Sequence, residues 1–73
     1  MTLAEQVRAA QLPPPVARRQ IRCDARVSLA EMAAELDVSA VTVQRWEQGT
    51  FEPRRDKAIA YRNLLDALRE ASR

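Results

Sequence analysis

Few side chains in this chain are equipped for catalysis. Among its 73 residues there is no histidine and a single cysteine, Cys23. An internal disulfide is therefore excluded, and a closed zinc site lacks ligands. Glu31 and Glu35 stand four apart on a helical stretch and could pair for acid–base work. Nothing around them supplies a pocket or raises a pKa, so they read as helix surface. Cys23 likewise reads as a small helical residue. Without histidine, phosphate loop or ligand cluster, neither an enzyme nor a cofactor is implied.

The remaining chemistry is recognition. In the run Ser39-Ala40-Val41-Thr42-Val43-Gln44-Arg45-Trp46-Glu47-Gln48-Gly49, helical spacing turns Val43 and Trp46 inward and Ala40, Val41, Gln44 and Arg45 outward. Trp46, next to Val43 on that inward side, reads as core. An arginine on an exposed helix face can bond guanine O6 and N7 together. A glutamine can pair with adenine, and small apolar groups can meet thymine methyls. Ala40, Val41, Gln44 and Arg45 are thus the expected base contacts on double-stranded DNA. The Thr42 and Thr50 hydroxyls and the backbone N–H groups near Leu29 suit phosphate oxygens. Arg54, Arg55 and Lys57 would neutralise phosphates, and one of them could enter the minor groove.

These residues need elements to position them. Thr2 and Glu5 form a capping box for a helix over Thr2–Leu12, with Leu3, Val7 and Ala10 on one stripe. Pro13-Pro14-Pro15 ends it, and the last proline suits the first turn of a helix over Pro15–Ala25. In that helix Ile21 and Ala25 share one face and Arg18 and Arg22 a neighbouring one. Ser28 and Glu31 form a second capping box, ahead of a helix with Met32, Ala33 and Leu36 inward. Asp37 is expected in a left-handed turn, with Val38 plugging the core behind it. Ser39 caps a helix over Ala40–Gln48, and Gly49, the only glycine, falls where that helix must stop. The last helix, Arg55–Glu70, turns Ala58, Tyr61, Leu64 or Leu65, and Leu68 inward.

Bulk properties agree with an all-α domain. Alanine, leucine, glutamate and arginine dominate, and residues at this length make one domain at most. The net charge is +2 and the isoelectric point about 9.3. Arg18, Arg19, Arg22 and Arg26 form one basic set, and Arg45, Arg54, Arg55 and Lys57 another, which suits a polyanionic partner. No apolar run approaches the ~20 residues that span a bilayer, and the N-terminus lacks the apolar centre of a signal peptide. Reduced, cytoplasmic surroundings and no membrane are expected.

From Leu12 to Leu68 the chain resembles the lambda-repressor-like helix-turn-helix proteins, the Cro, phage-repressor or xenobiotic-response-element type. The resemblance rests on Arg22, Ser28, the Met32-Ala33 pair, Val38-Ser39, Val43 and the string Trp46-Glu47-x-Gly49-x-x-x-Pro53. The Leu12-Pro13 start, Arg18 and Tyr61-x-x-Leu64-Leu65-x-x-Leu68 look like a subgroup of actinobacteria and their phages. Three places depart: Leu29 stands where many members have a phosphate-touching glutamine, Asp37 replaces the usual turn glycine, and the helix around Leu3 to Ala10 has no counterpart in the family. The resemblance implies a helical bundle with a helix-turn-helix; with the N-terminal helix read from the residues it becomes an all-α, lambda-repressor-like five-helix bundle, residues 1–12 being an N-terminal helix or arm and 13–73 the DNA-binding domain. It also implies a partly buried structural salt bridge between Arg22 and Glu47.

The expected function is sequence-specific binding of double-stranded DNA as a small transcriptional regulator, with helix 40–48 in the major groove. A homodimer would place two copies on half-sites, through the Leu3, Val7, Ala10 stripe or the edge of the last helix; packing of that stripe against Leu65 and Leu68 is the competing use. Two alternatives remain open: an antitoxin-like module that covers a protein partner and regulates its own promoter, and a phage architectural or excision factor.

Overall fold

Local hydrogen-bonding signals set most of the helix limits. The computed structural model describes residues 1–73, with α1 at Leu3–Ala9, α2 at Pro15–Asp24, α3 at Leu29–Leu36, α4 at Ala40–Gln48 and α5 at Arg55–Ala71. Both capping boxes form. Thr2 Oγ1 accepts from the Glu5 N–H at 3.1 Å and Ser28 Oγ from the Glu31 N–H at 3.0 Å. Each glutamate reaches back to the N–H of its capping residue, at 3.3 and 2.9 Å. The bonds from the Ser28 backbone N–H and hydroxyl hold the exposed Glu31 carboxyl below its usual pKa. Ser39 Oγ accepts from the Thr42 N–H at 3.2 Å. Pro15 opens α2 without a side-chain cap, because a first-turn N–H has no helical partner to lose.

The ends of α2, α3 and α4 share one device. Arg26, Asp37 and Gly49 have φ of 59°, 56° and 76°, and the residue after each donates its N–H five residues back. Val27 bonds Arg22 O at 3.1 Å, Val38 bonds Ala33 O at 3.0 Å, and Thr50 bonds Arg45 O at 3.1 Å. This closure satisfies terminal carbonyls and turns the chain sharply. At Gly49 a second constraint acts, since an added Cβ would lie 3.2 Å from Pro15 Cγ. The C-terminus of α4 is thus pressed against the start of α2.

One cluster joins α2 to α5: Ile21, Met32, Ala33, Leu36, Val43, Trp46, Tyr61 and Leu65 are all buried. The Trp46 and Tyr61 rings lie 5.1 Å apart between centroids, tilted by 34°, a spacing typical of attractive aromatic pairs. Leu65 is the fully buried leucine of α5, while Leu64 and Leu68 pack at the margin. The Tyr61 hydroxyl is buried without a hydrogen-bond partner, and burial pushes its pKa up to about 12.

Two expectations are corrected. The first helix is shorter than Thr2–Leu12: Ala10 ends it, because Leu12 precedes proline and is biased toward extended backbone. Although α1 lies against α5, and the Arg62 guanidinium donates to Arg8 O, none of its residues is buried. Leu3 and Val7 keep 66% and 43% of their surface, so their stripe adds little to the core. Second, Arg18 does not belong to a solvated basic set. It is 5% exposed and donates from Nε to Pro13 O at 2.7 Å and from Nη1 to Trp46 O at 3.1 Å. Its guanidinium also meets the Glu52 carboxylate at 3.4 Å.

Candidate nucleic-acid interface

Helix α4 has two unlike faces, and the core determines which is which. Val43, Trp46 and Glu47 are buried. Glu47 meets Arg22 of α2 through two parallel bonds, Nε to Oε2 at 2.6 Å and Nη2 to Oε1 at 3.0 Å. Arg22 Nη1 adds a bond to Val27 O at 2.9 Å. The bond to Glu47 raises the Arg22 pKa above its usual value. Such a forked pair fixes rotation about the helix axis as well as position. Arg18 grips the same helix at Trp46 O.

With its inner face held, α4 turns Val41, Gln44 and Arg45 to solvent. Val41 keeps 52% of its surface, much for an apolar side chain in a domain with so small a core. Ala40 differs from its expected outward placement: it is half-buried and packs against the core cluster. The α3–α4 turn brings the first residue of α4 back toward the body of the domain. Thr42 is also half-buried, and its hydroxyl lies 2.8 Å from Ser39 Oγ.

The expected phosphate-binding groups surround this face unevenly. Leu29 begins α3 and packs at the edge of the core, so only its backbone is suited to polar contact. Thr50 Oγ1 donates to Arg45 O at 3.2 Å. Arg54 and Arg55 are exposed at the start of α5. Lys57 is half-buried, and its ammonium donates to Leu36 O at 2.8 Å, tying the start of α5 to the end of α3.

Folding brings further side chains beside these residues, of which the sequence marks only Arg19, as one of a basic set. Between α2, the start of α3 and α4 runs an open groove of about 660 Å³, where Arg19 and Gln20 of α2 face Gln44 and Gln48 of α4. The exposed sites on α2 are legible as polar positions, but their proximity to α4 depends on the bundle. Beyond Gly49, Phe51 is 58% exposed, and the Arg45 guanidinium lies over its ring, 5.7 Å from the centroid. A lone aromatic in a polar loop was the available signal.

Two short helices joined by a tight turn, the second held on its inner face and polar on its outer one, define the helix-turn-helix class. The chain matches the family HTH_3, helix-turn-helix, over residues 19–70, and it belongs to that family of DNA-binding domains. Its fold is the all-α, lambda-repressor-like bundle. No curated protein and no solved structure gave a significant match. No helix is long and apolar enough to cross a membrane.

Proposed function

We propose that this chain is a transcriptional regulator that binds specific double-stranded DNA sequences through α4. The observation that carries the proposal is the division of α4: one face fixed by Trp46 and the Arg22–Glu47 fork, the other exposing Val41, Gln44 and Arg45. A helix so held can enter a major groove with its side chains at constant register. Arg45 reads guanine and Gln44 reads adenine or bridges to a phosphate. Val41 meets a thymine methyl, with Ala40 closing in behind it. The first N–H groups of α3, at Leu29, meet the backbone, with Thr42 and Thr50 at neighbouring phosphates. Arg54, Arg55 and the remaining N–H groups of Lys57 add phosphate attraction that weakens with salt. One domain of this size covers limited DNA, so two copies on half-sites about 34 Å apart give the operator its affinity.

Selection from a random duplex pool, by wild type and by Arg45→Ala, tests the proposal. Wild type is expected to enrich a palindromic motif. Arg45→Ala should lose preference at one position per half-site, worth roughly 1–3 kcal/mol, and melt like wild type. A folded wild type that enriches nothing contradicts specific recognition. A motif without symmetry contradicts the paired arrangement.

A further inference from the structure

We infer that Phe51 is a positioning residue for base reading: its ring holds the Arg45 guanidinium in the orientation from which it meets a base edge. The inference rests on the proposed role of Arg45. An exposed arginine on a helix samples many rotamers, and ordering them opposes binding. Here the guanidinium already lies over an aromatic face at 5.7 Å, within the ~6 Å at which a cation is drawn to a ring.

The backbone is fastened on both sides of Phe51. Before it, the Thr50 N–H and hydroxyl both donate to Arg45 O, at 3.1 and 3.2 Å. After it, the Glu52 carboxylate meets the buried Arg18 guanidinium at 3.4 Å. Arg18 in turn bonds Trp46 O on α4 at 3.1 Å. The loop is therefore fastened to the helix whose arginine it supports. Thr42, Arg45, Trp46 and Phe51 wall one hollow of about 140 Å³, with buried Trp46 as its fixed side. The exposure of Phe51, 58%, places the ring outside the core, so replacing it leaves the fold in place.

The test uses Phe51→Leu, which keeps apolar bulk without a π face, and Phe51→Tyr, which keeps the ring. In the free protein, Arg45 side-chain protons should show an upfield ring-current shift by NMR. That shift should vanish in Phe51→Leu and persist in Phe51→Tyr. On the selected duplex and a variant exchanging the base pair read by Arg45, Phe51→Leu should cut discrimination by about 2- to 5-fold. Phe51→Tyr should restore it, and Phe51→Leu should change nothing in an Arg45→Ala background. An unchanged ring shift or unchanged discrimination in Phe51→Leu overturns the inference. Equal loss in the Arg45→Ala background also overturns it, since Phe51 then acts on DNA by itself. A wild type that selects no motif defeats the DNA-reading role of Arg45 and this inference with it, whereas failures confined to the Phe51 variants defeat the inference alone.

Discussion

Arg22 and Arg45 belong to the two opposite surfaces of α4. Arg22 comes from α2 to the inner surface, where its side chain keeps 12% exposure and its guanidinium forks onto Glu47, itself 5% exposed. Arg45 stands on the outer surface, exposed, with its guanidinium over the Phe51 ring. The same side chain is thus a structural bolt on one surface and an available donor on the other. What separates them is the desolvated carboxylate, because a buried charge must be paired while an exposed one is free to pair later. A count of basic residues misses this. Arg18, Arg19, Arg22 and Arg26 look alike in sequence, yet Arg18 and Arg22 are committed inside the domain and Arg19 and Arg26 face solvent.

The contrast breaks most severely on the inner side. Trp46→Ala removes a buried aromatic against Tyr61 and should cost roughly 3–5 kcal/mol. Glu47→Ala strands the Arg22 charge, 12% exposed, and should cost a similar amount, about 3–5 kcal/mol. Urea denaturation of both variants checks this. A midpoint like wild type in either would place that side chain outside the supporting face.

The turns that set the two faces respond more weakly, and with opposite signs. Gly49→Ala puts a Cβ at φ 76° beside Pro15 and should destabilise by roughly 1–2 kcal/mol. At Arg26 and Asp37, φ is 59° and 56°, and glycine relieves the strain of a side chain there, roughly 1–2 kcal/mol. It also frees the unfolded chain, at about 0.4–1 kcal/mol. Arg26→Gly should therefore gain about 0.5–1 kcal/mol net, seen as a higher melting temperature, and Asp37→Gly less, because aspartate tolerates the left-handed region better than arginine. Loss of stability in both would mean that their side chains contribute more than their backbone strain costs.

A further effect is silent at neutral pH and develops only in alkali. The folded-state pKa of Tyr61 is raised to about 12 from 10.0, so the folded form keeps a proton that the unfolded form has lost. Stability should be unaffected by this group below pH 10.0 and fall as pH rises toward about 12. Tyr61→Phe should flatten that fall in pH-dependent melting. An identical slope in the variant would assign the fall to other groups.

The sequence carried the helix-turn-helix because its signals are local. Ser28 with Glu31, Ser39 and Gly49 mark helix ends within a few residues of themselves, and Trp46 falls on an inward face by periodicity alone. The same locality explains what was hidden. Arg18 is satisfied by Pro13 O, Trp46 O and Glu52, partners that converge only after folding, and a charged residue on a helix otherwise reads as surface. Arg26 in a left-handed turn was illegible because arginine has no preference for it, unlike Asp37 or Gly49. The proline run stopped α1 earlier than periodicity suggested. In the candidate site, Gln44 and Arg45 were readable from face position. The half-burial of Ala40, the bond from Lys57 to Leu36 O and the approach of the Arg45 guanidinium to the Phe51 ring depend on the angle at which α3, α4 and α5 meet.

Backbone amide NMR shifts, recorded while the labelled protein is titrated with its selected duplex, address the central claim most directly. The account predicts changes concentrated at Leu29–Ala30, Val41–Arg45 and Thr50–Arg55, with α1 and the C-terminal half of α5 little affected. Changes centred on α1 and α5 instead, with α4 silent, would contradict the assignment of the outer face of α4 to DNA.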